Sequence, residues 1–361
     1  MRPRIVILSA FLSPLRSGAE ACAEEVALRL SDRFDITIVT ARMRRDLPKK
    51  DFLQGKVSVI RVGFGWKWDK WLYPLLAPFT TRQLSPDVIH AVLETFAGVA
   101  LHACRVVVPR AKQILTLQTT NRQFLRRHIL RTPDIVTAIS RILAEQAAHL
   151  GRPDAIVIPN GIPYGEIRSA CSGVQKIPGR ILFVGRLETM KGVDTLLQAF
   201  ANVKDPRAHL RVIGYGLQER HLKNMARDLS IEDRVTFTGY ILHEQIFGEY
   251  AKAQIFCGLS RSEALGNVFI EALAAGCVVI ATEVGGITDS IQHRINGLLV
   301  RPDAPSEVSA LIDAIVATPG SFDALTRSAV QQSDRFDWNG IAAEYGGIYD
   351  SLLSRTTVAA R

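Results

Sequence analysis

Short apolar runs alternate with amphipathic segments along most of the chain. In the first half the apolar runs predict strands at residues 4–10, 35–40, 57–62, 87–92, 113–117, 135–139 and 155–159. Between them, apolar residues recur at helical spacing, most clearly over residues 19–30, 95–106 and 122–130. Strands that alternate with helices are joined by right-handed crossovers and form a mostly parallel sheet. The first half therefore predicts an α/β domain.

A second domain of the same kind is predicted after a break in this pattern. Proline, asparagine and glycine cluster at residues 159–163, and residues 164–179 have no clear periodicity. The alternation then resumes, with strands predicted at residues 180–184, 210–213, 234–238, 255–258, 278–281 and 297–300. We expect domains at residues 1–163 and 164–335, followed by a C-terminal helical segment at residues 336–361.

Composition is compatible with two globular domains. The chain has 361 residues, of which 47% are hydrophobic, and no apolar run reaches the ~18 residues of a membrane span. Residues 1–12 resemble a short signal peptide, but cleavage would remove the first predicted strand, so we predict a strand there. The five cysteines are scattered without a C-x-x-C pair, which argues against a zinc site and favours a reducing cytoplasm.

The net positive charge belongs to the first half alone. Residues 1–165 hold 24 Lys and Arg against 13 Asp and Glu, whereas residues 166–361 hold 20 against 22. This asymmetry indicates an anionic surface or partner for the first domain: lipid headgroups, a phosphorylated acceptor or nucleic acid.

Two glutamates, Glu263 and Glu271, stand eight positions apart in the second half. Glu263 lies in a turn-like segment before a helix predicted at residues 268–275, and Glu271 lies in the first turns of that helix. A helix N-terminus favours an anion such as phosphate, and an ionised carboxylate can accept hydrogen bonds from two sugar hydroxyls. On spacing alone, the alternative is a loop carboxylate and a solvated glutamate on a helix face.

Two cations follow the first predicted strand of the second domain. The segment reads G-R-L-E-T-M-K-G, with Arg186 and Lys191 at its cationic positions. The planar fork of an arginine can bridge two phosphate oxygens, and a lysine supplies a point charge. The alternative is two exposed cations at the end of a strand.

Together these segments resemble the retaining glycosyltransferases of family 4, which have the GT-B fold. The motif G-R-L-x-x-x-K-G is matched at every fixed position, and Glu263 and Glu271 match the E-x7-E signature, with Ala264 and Leu265 replacing the usual glycine and aromatic residue. The resemblance spans most of the chain and is strongest over residues 181–286. It implies an α/β fold of two Rossmann-like domains with parallel sheets facing a central cleft. It also implies that the C-terminal helix crosses back to the N-terminal domain.

The resemblance also implies a role for each motif residue. Arg186 and Lys191 would stabilise the departing nucleoside diphosphate, Glu263 would hold the donor sugar, and Glu271 would hold the ribose. We assign catalysis to Arg186, Lys191 and Glu263. The implied donor-binding residues are Gly18, Gly185, Gly214, Tyr240, Gly266, Asn267, Val268 and Glu271.

His90 and Gln118 are the candidates on the acceptor or sugar side of the N-terminal domain. His90 lies in a strand motif of the family, but a lone histidine there is more often packed and hydrogen-bonded. Gln118 stands where the family usually has a histidine. Glutamine can still hydrogen-bond a sugar hydroxyl but cannot exchange a proton near neutral pH, which affects donor preference.

Aromatic and basic residues alternate after the third predicted strand. We predict a membrane or acceptor surface made of Trp66, Trp68, Trp71, Arg122 and Arg126. One alternative is a surface whose aromatic rings stack on nucleobases. The other is a helix whose apolar residues pack in the core while its charges face solvent.

The expected function is retaining transfer of a hexose-type sugar from a nucleoside-diphosphate sugar to a hydroxyl of a lipid-linked or anionic glycan acceptor. No D-x-D triplet occurs, so we expect no metal and no cofactor besides the donor substrate. In the family a donor phosphate oxygen is thought to take the acceptor proton, so no general base is assigned. We expect a cytoplasmic protein, peripheral at the membrane face, that binds no nucleic acid. A catalytically silent sugar-nucleotide-binding protein and a nucleotide-sugar epimerase are the alternatives.

Overall fold

Runs of valine, isoleucine and leucine form two separate sheets in the computed structural model, which describes residues 2–13, 18–120, 126–318 and 320–358, with the backbone alone at residues 243 and 355–358. The chain divides into two units. Unit 1 comprises the residues up to Gly161 together with those from Trp338 onward, and unit 2 comprises Ile162–Asp337.

The sheet of unit 1 has eight strands in the order β3-β4-β2-β1-β5-β6-β7-β8. They are β1 Arg4–Leu8, β2 Asp35–Ala41, β3 Lys50–Leu53, β4 Val57–Val62, β5 Val88–Val92, β6 Lys112–Leu117, β7 Ile135–Ala138 and β8 Ile156–Val157. Every pair is parallel except β3 with β4. All five residues of β5 are buried, as expected for a central parallel strand that is covered on both faces.

The helices of unit 1 that precede residue 161 connect these strands. They are α1 Gly18–Leu30, α2 Asp69–Leu84, α3 Phe96–Val107, α4 Arg126–Arg131 and α5 Arg141–His149. The edge strand β3 was not predicted, because three of its four residues are exposed and its sequence lacks an apolar run.

The C-terminal helix α14, Trp338–Val358, packs on α1 in unit 1. Trp338, Tyr345 and Tyr349 are fully buried there, and they join the apolar core that β1 and α1 form. Gly161 permits this packing, because a Cβ at that position would lie 2.5 Å from the Trp338 ring.

The sheet of unit 2 has six parallel strands in the order β11-β10-β9-β12-β13-β14. They are β9 Ile177–Val184, β10 His209–Ile213, β11 Val235–Gly239, β12 Ala253–Gly258, β13 Val278–Thr282 and β14 Leu298–Val300. The α-helices are α6 Tyr164–Cys171, α7 Val193–Ala201, α8 Glu219–Asp228, α9 His243–Lys252, α10 Asn267–Ala274, α11 Ile287–Ser290, α12 Pro305–Ala317 and α13 Asp323–Ser333. Three 3₁₀ turns are Thr189–Lys191, Glu232–Arg234 and Asp334–Phe336.

The prediction of irregular structure at residues 164–179 is wrong. The helix α6 occupies the first half of that segment, and β9 already begins at Ile177. Ile167 is the one buried residue of α6, so the apolar periodicity that would have revealed the helix is weak.

Strand order reverses between β9 and β12. From β9 the sheet grows through β10 to β11 on one side, and β12, β13 and β14 extend it on the other. Ligands of open parallel sheets bind outside the carboxyl ends of the strands at such a switch point. The loops after β9 and β12 are therefore the expected location of a ligand-binding site in unit 2. No helix in the described part of the chain is long and apolar enough to cross a membrane.

Candidate active site

Lys191 and Glu263 meet at the carboxyl end of the switch point. Lys191 ends the 3₁₀ turn that follows β9, and Glu263 lies in the loop that follows β12. The Lys191 ammonium donates to Glu263 Oε2 over 2.5 Å, and the Ser260 hydroxyl donates to the same oxygen over 3.2 Å. Both charged side chains are largely buried, at 20% and 14% exposed. One residue from each of the two sequence motifs, Lys191 and Glu263, thus takes part in the same ion pair.

Arg261 links the loop after β12 to the segment that follows β9. Its guanidinium donates to both carboxylate oxygens of Asp194, over 3.0 and 2.9 Å, and to the carbonyl oxygen of Thr189 over 2.6 Å. Its backbone N–H donates to the Met190 carbonyl over 2.8 Å. Burial alone would raise the pKa of Asp194, but the hydrogen bonds and charge of Arg261 outweigh burial and lower it. Sequence reasoning missed Arg261, although it lies two positions before Glu263.

The loop after β13 supports the backbone at Glu263. Gly285 has a φ of +53°, and a Cβ there would lie 2.1 Å from the Glu263 carbonyl oxygen, so only glycine fits. The N–H of Gly286 donates to that carbonyl over 3.0 Å. Glu263 is therefore held by its backbone as well as by its side-chain partners.

Glu271 projects from α10 into a buried site beside α9. It is 6% exposed, and the Tyr250 hydroxyl donates to its Oε2 over 3.0 Å. Burial raises the pKa of Tyr250 well above its usual value, and the Glu271 carboxylate raises it further. Tyr250 therefore stays a neutral donor that orients the carboxylate.

The N-terminus of α10 lies between the two glutamates along the chain. Gly266 precedes the helix with a φ of +87°, and Asn267 and Val268 form its first turn. The N–H groups of a first turn have no partner inside the helix and favour an anion. Their N–H groups can therefore donate hydrogen bonds to an anion, and the donor-binding role assigned to these residues stays a prediction.

Arg186 is anchored differently from Lys191. Its guanidinium donates to Glu188 Oε1 over 2.6 Å, and its side chain is 68% exposed. An exposed cation with one carboxylate partner can be redirected to a phosphate at low cost. The structure thus places Arg186 in the same loop as Lys191 but not in the Lys191–Glu263 pair.

Two glycines and two tyrosines complete the carboxyl edge. Gly214 follows β10, and a Cβ there would lie 1.8 Å from the Gly185 carbonyl oxygen, so the loops after β9 and β10 touch through their backbones. Tyr240 is 67% exposed, and its ring packs edge-on against Tyr215 with centroids 5.9 Å apart. An exposed aromatic pair of this kind can flank a planar base.

In unit 1, His90 is a core residue. It is fully buried, and its two ring nitrogens bond the hydroxyls of Tyr349 and Thr116 over 2.8 and 2.7 Å. Burial lowers the pKa of His90 to about 3, so the ring is neutral at physiological pH. Both nitrogens are occupied by protein hydroxyls, so the prediction that His90 contacts an acceptor or sugar is wrong, and the packed alternative describes it.

Gln118 is paired with Asn160. Its amide donates to Asn160 Oδ1 over 2.9 Å, and the Asn160 amide donates back over 2.8 Å. The Gln118 backbone N–H donates to Glu94 Oε2 over 2.9 Å. Burial raises the pKa of Glu94, although this N–H and the charge of Arg126 lower it in part. A side chain that is clamped in this way is a structural element at the carboxyl end of β6.

Arg126 is buried rather than exposed on a surface. It is 6% exposed and lies 3.3 Å from Glu94 Oε1 and 3.0 Å from Gln146 Oε1. The prediction that Arg126 contributes to a membrane or acceptor surface is wrong, because a carboxylate in the core neutralises it. Arg122 lies outside the described residues. Trp66, Trp68 and Trp71 are exposed.

Gly18 is the first residue of α1, and residues 14–17 before it lie outside the described part of the chain. Within the described residues, no group of three or more His, Cys, Asp or Glu side chains could hold a metal ion.

Comparison with known proteins identifies two family models that together span most of the chain. The model described as "Glycosyl transferases group 1" matches residues 171–332, and the model described as "Glycosyltransferase Family 4" matches residues 16–165. The first match contains the whole cluster around Lys191 and Glu263.

Individual relatives agree with these matches. The D-inositol 3-phosphate glycosyltransferase of Acidothermus cellulolyticus is 28% identical over 99% of this chain and 92% of its own length. Two further curated relatives match over 46% and 47% of their own length.

Two solved structures share the fold. Sucrose-phosphate synthase from Thermosynechococcus elongatus superimposes with a TM-score of 0.87 at 21% identity, over 98% of this chain and 100% of the other. HepE of Anabaena, in complex with UDP and glucose, superimposes with a TM-score of 0.77 at 21% identity, over 97% and 100%. The two parallel-sheet units are thus those of the GT-B fold. The two family models together cover most of the chain and identify it as a glycosyltransferase, with residues 16–165 matching the family 4 model and residues 171–332 the group 1 model.

Proposed function

We propose that the protein is a retaining glycosyltransferase that moves a hexose-type sugar from a nucleoside-diphosphate sugar to an acceptor hydroxyl without a metal ion. The observation that carries this proposal is the contact between Lys191 and Glu263 at the switch point of unit 2. One member can bind a phosphate, the other a sugar hydroxyl, and both are held where a ligand of a parallel sheet binds.

The donor would lie along the carboxyl edge of unit 2. Glu271 would accept the ribose hydroxyls, and Asn267 and Val268 would donate backbone N–H groups to the diphosphate. Tyr240 would flank the base. HepE of Anabaena was solved in complex with UDP and glucose, which supports a uridine diphosphate sugar as the first donor to try.

Lys191 would act on the leaving group. As the bond between the anomeric carbon and the diphosphate oxygen breaks, negative charge grows on that oxygen, and a cation at this point stabilises the transition state more than the ground state. Donor binding would have to separate Lys191 from Glu263. Each partner would then exchange one oppositely charged contact for a contact with the substrate.

Retention follows if the acceptor attacks from the side on which the leaving group departs. The acceptor oxygen would bond to the anomeric carbon while the carbon–diphosphate bond breaks, and a diphosphate oxygen would take the hydroxyl proton. No protein base is needed in this scheme. The neutral, buried His90 and the clamped Gln118 fit a mechanism that does not use them as proton carriers.

The acceptor would bind unit 1 and carry negative charge or a lipid. Residues 1–165 hold 24 Lys and Arg against 13 Asp and Glu, and the name of the Acidothermus relative contains D-inositol 3-phosphate, a phosphorylated polyol. An acceptor of this charge would be attracted to the basic half. We propose a lipid-linked glycan or glycolipid, used at the cytoplasmic face of a membrane.

The test is a transfer assay with UDP-glucose and other nucleoside-diphosphate sugars against mixed lipid-linked acceptors, in the presence of EDTA. We expect acceptor-dependent release of the nucleoside diphosphate and a product whose anomeric configuration, read by proton NMR, equals that of the donor. Inversion would reject the mechanism. Nucleotide binding without transfer to any acceptor would favour a silent binding protein, and a changed sugar without acceptor would favour an epimerase.

A further inference from the structure

Six large apolar side chains lie exposed on one segment of unit 1. They are between 52% and 69% exposed: Phe64, Trp66, Trp68, Trp71, Leu75 and Phe79. We call them the α2 stripe, since the last three belong to α2 and the first three lead into it. Soluble monomers rarely expose so many large apolar residues together, and such patches mark interaction sites.

The spacing of the stripe shows that α2 is apolar on two opposite faces. Trp68, Trp71, Leu75 and Phe79 recur every three or four positions, so they lie on one side of the helix. The other side carries Tyr73, Ala77 and Thr81, which are buried. Packing within unit 1 therefore accounts for the inner face of α2. On the outer face Trp71 meets the Phe96 ring edge-on, with centroids 5.0 Å apart, but is still 59% exposed, so most of that face is left to a partner.

Charge around the stripe is positive. Residues 64–83 contain three cations, Lys67, Lys70 and Arg82, and a single acid, Asp69. Asp69 is 1% exposed, and its carboxylate accepts the backbone N–H groups of Gly65 and Trp66 over 2.6 and 3.2 Å. The acid is thus engaged by the turn before α2, and the exposed charge of the segment is cationic.

The cations lie beside the aromatic rings. The Lys70 ammonium is 5.9 Å from the Trp71 ring centroid, and the Arg45 guanidinium is 5.6 Å from that of Trp66. Aromatic rings at the level of lipid headgroups, with long basic side chains that reach the phosphates, are the usual composition of a helix that lies in a membrane interface.

We propose that the α2 stripe is the surface by which the enzyme docks on an anionic lipid bilayer. This inference rests on the proposed function, because an enzyme that uses a lipid-linked acceptor has to bind it at the membrane. The helix would lie in the plane of the interface, with Trp71, Leu75 and Phe79 among the acyl chain ends and Lys67, Lys70 and Arg82 at the phosphates. Anionic lipids attract such a basic segment at the membrane surface.

A second copy of the chain fits this surface less well. A two-fold contact pairs the same patch with itself, so it would bring the cations of both copies together. No exposed acid in residues 64–83 is available to offset them. A bilayer with anionic headgroups supplies the opposite charge and the apolar phase at once.

The experiment uses cosedimentation to compare vesicle binding by the full-length wild type and by the full-length variant W68S/L75S/F79S. Vesicles are phosphatidylcholine alone or phosphatidylcholine with phosphatidylglycerol. The matched control is V106S/L217S, which removes two apolar side chains that are 83% and 96% exposed elsewhere. We expect the wild type and the control to bind the anionic vesicles, and the triple variant to lose at least about tenfold in affinity. K67Q/K70Q/R82Q should lose the preference for anionic lipid.

Equal binding of the triple variant and the wild type would overturn the proposal, as would absence of wild-type binding. A wild-type dimer in light scattering that W68S/L75S/F79S dissociates would also overturn it. UDP affinity by calorimetry should be unchanged in the triple variant, which shows that unit 2 is folded. If the wild type binds vesicles but no nucleotide, the proposed function fails and the membrane surface stands.

Discussion

Lys191 Nζ lies 2.5 Å from Glu263 Oε2, although 72 positions separate the two residues in the chain. They are brought together because β9 and β12 are hydrogen-bonded neighbours and both loops leave the same edge of the sheet. A largely buried pair of this kind satisfies both charges within the protein. A substrate that offers a phosphate to one and a hydroxyl to the other can replace the contact.

Removing the charge of Lys191 should lower kcat by a larger factor than it lowers the affinity for the donor. We expect Lys191→Met to lower kcat by at least about 100-fold, because a contact to the developing charge is lost. The measurement is acceptor-dependent release of nucleoside diphosphate at saturating donor. The matched control is Lys223→Met, which removes an exposed lysine that forms an ion pair with Glu219 on the same helix. This variant should retain wild-type rates. A wild-type kcat in Lys191→Met would contradict the role assigned to this residue.

Tyr250 should act as a positioning residue for Glu271. Tyr250→Phe removes the hydroxyl that donates to Glu271 Oε2 and keeps the buried ring. We expect the KM for the donor to rise about fivefold, the equivalent of ~1 kcal/mol for one hydrogen bond, with a nearly unchanged kcat. Glu271→Gln should raise the KM further. If Tyr250→Phe changes kcat alone, the proposed ribose contact of Glu271 is wrong.

Arg261 should couple pH to the stability of unit 2 through Asp194. The folded-state pKa of Asp194 is lowered below its usual value. Its contribution to stability is therefore present above the unfolded pKa and is lost as the pH falls through the folded pKa. In Arg261→Met this contribution should disappear at neutral pH, so acid should destabilise the variant less than the wild type. The check is urea denaturation of both proteins at pH 7 and at pH 3. Parallel losses on acidification would exclude this coupling.

Gln118 and Asn160 should depend on each other for stability. Gln118→Leu leaves the buried Asn160 amide without its partner, and we expect a loss of about 1–3 kcal/mol in the free energy of unfolding. The double variant Gln118→Leu/Asn160→Leu should be less destabilised than the two single changes together. The measurement is a double-mutant cycle by urea denaturation. Additive effects would show that the pair is not coupled.

Much of the fold was predictable because parallel strands that are buried on both faces read as continuous apolar runs. The strands around β5 and β12 follow from this signal. The edge strand β3 and the helix α6 do not, since both bury too few residues to leave a period in the sequence. A helix in the α2 segment is only an alternative interpretation of the sequence, because this helix is apolar on both faces and contains Pro74 and Pro78, so no single periodic face stands out.

The site was predictable where chemistry imposes a spacing and not where it depends on contacts between distant segments. Glu263 and Lys191 are motif residues, and the structure joins them. Arg261 has partners at positions 189 and 194 that no local pattern relates to it. Arg126 reads as a surface cation in sequence, but a carboxylate 32 positions earlier, Glu94, pairs with it in the core.

The most direct test of the central claim is calorimetric titration of UDP into the wild type, Lys191→Met and Glu263→Gln. If Lys191 meets the diphosphate and Glu263 the sugar, UDP affinity falls at least about tenfold in Lys191→Met, and in Glu263→Gln it stays near that of the wild type. Titration with UDP-glucose should then show a loss in both variants. Unchanged UDP affinity in Lys191→Met, with the protein folded and binding in the wild type, would contradict the account.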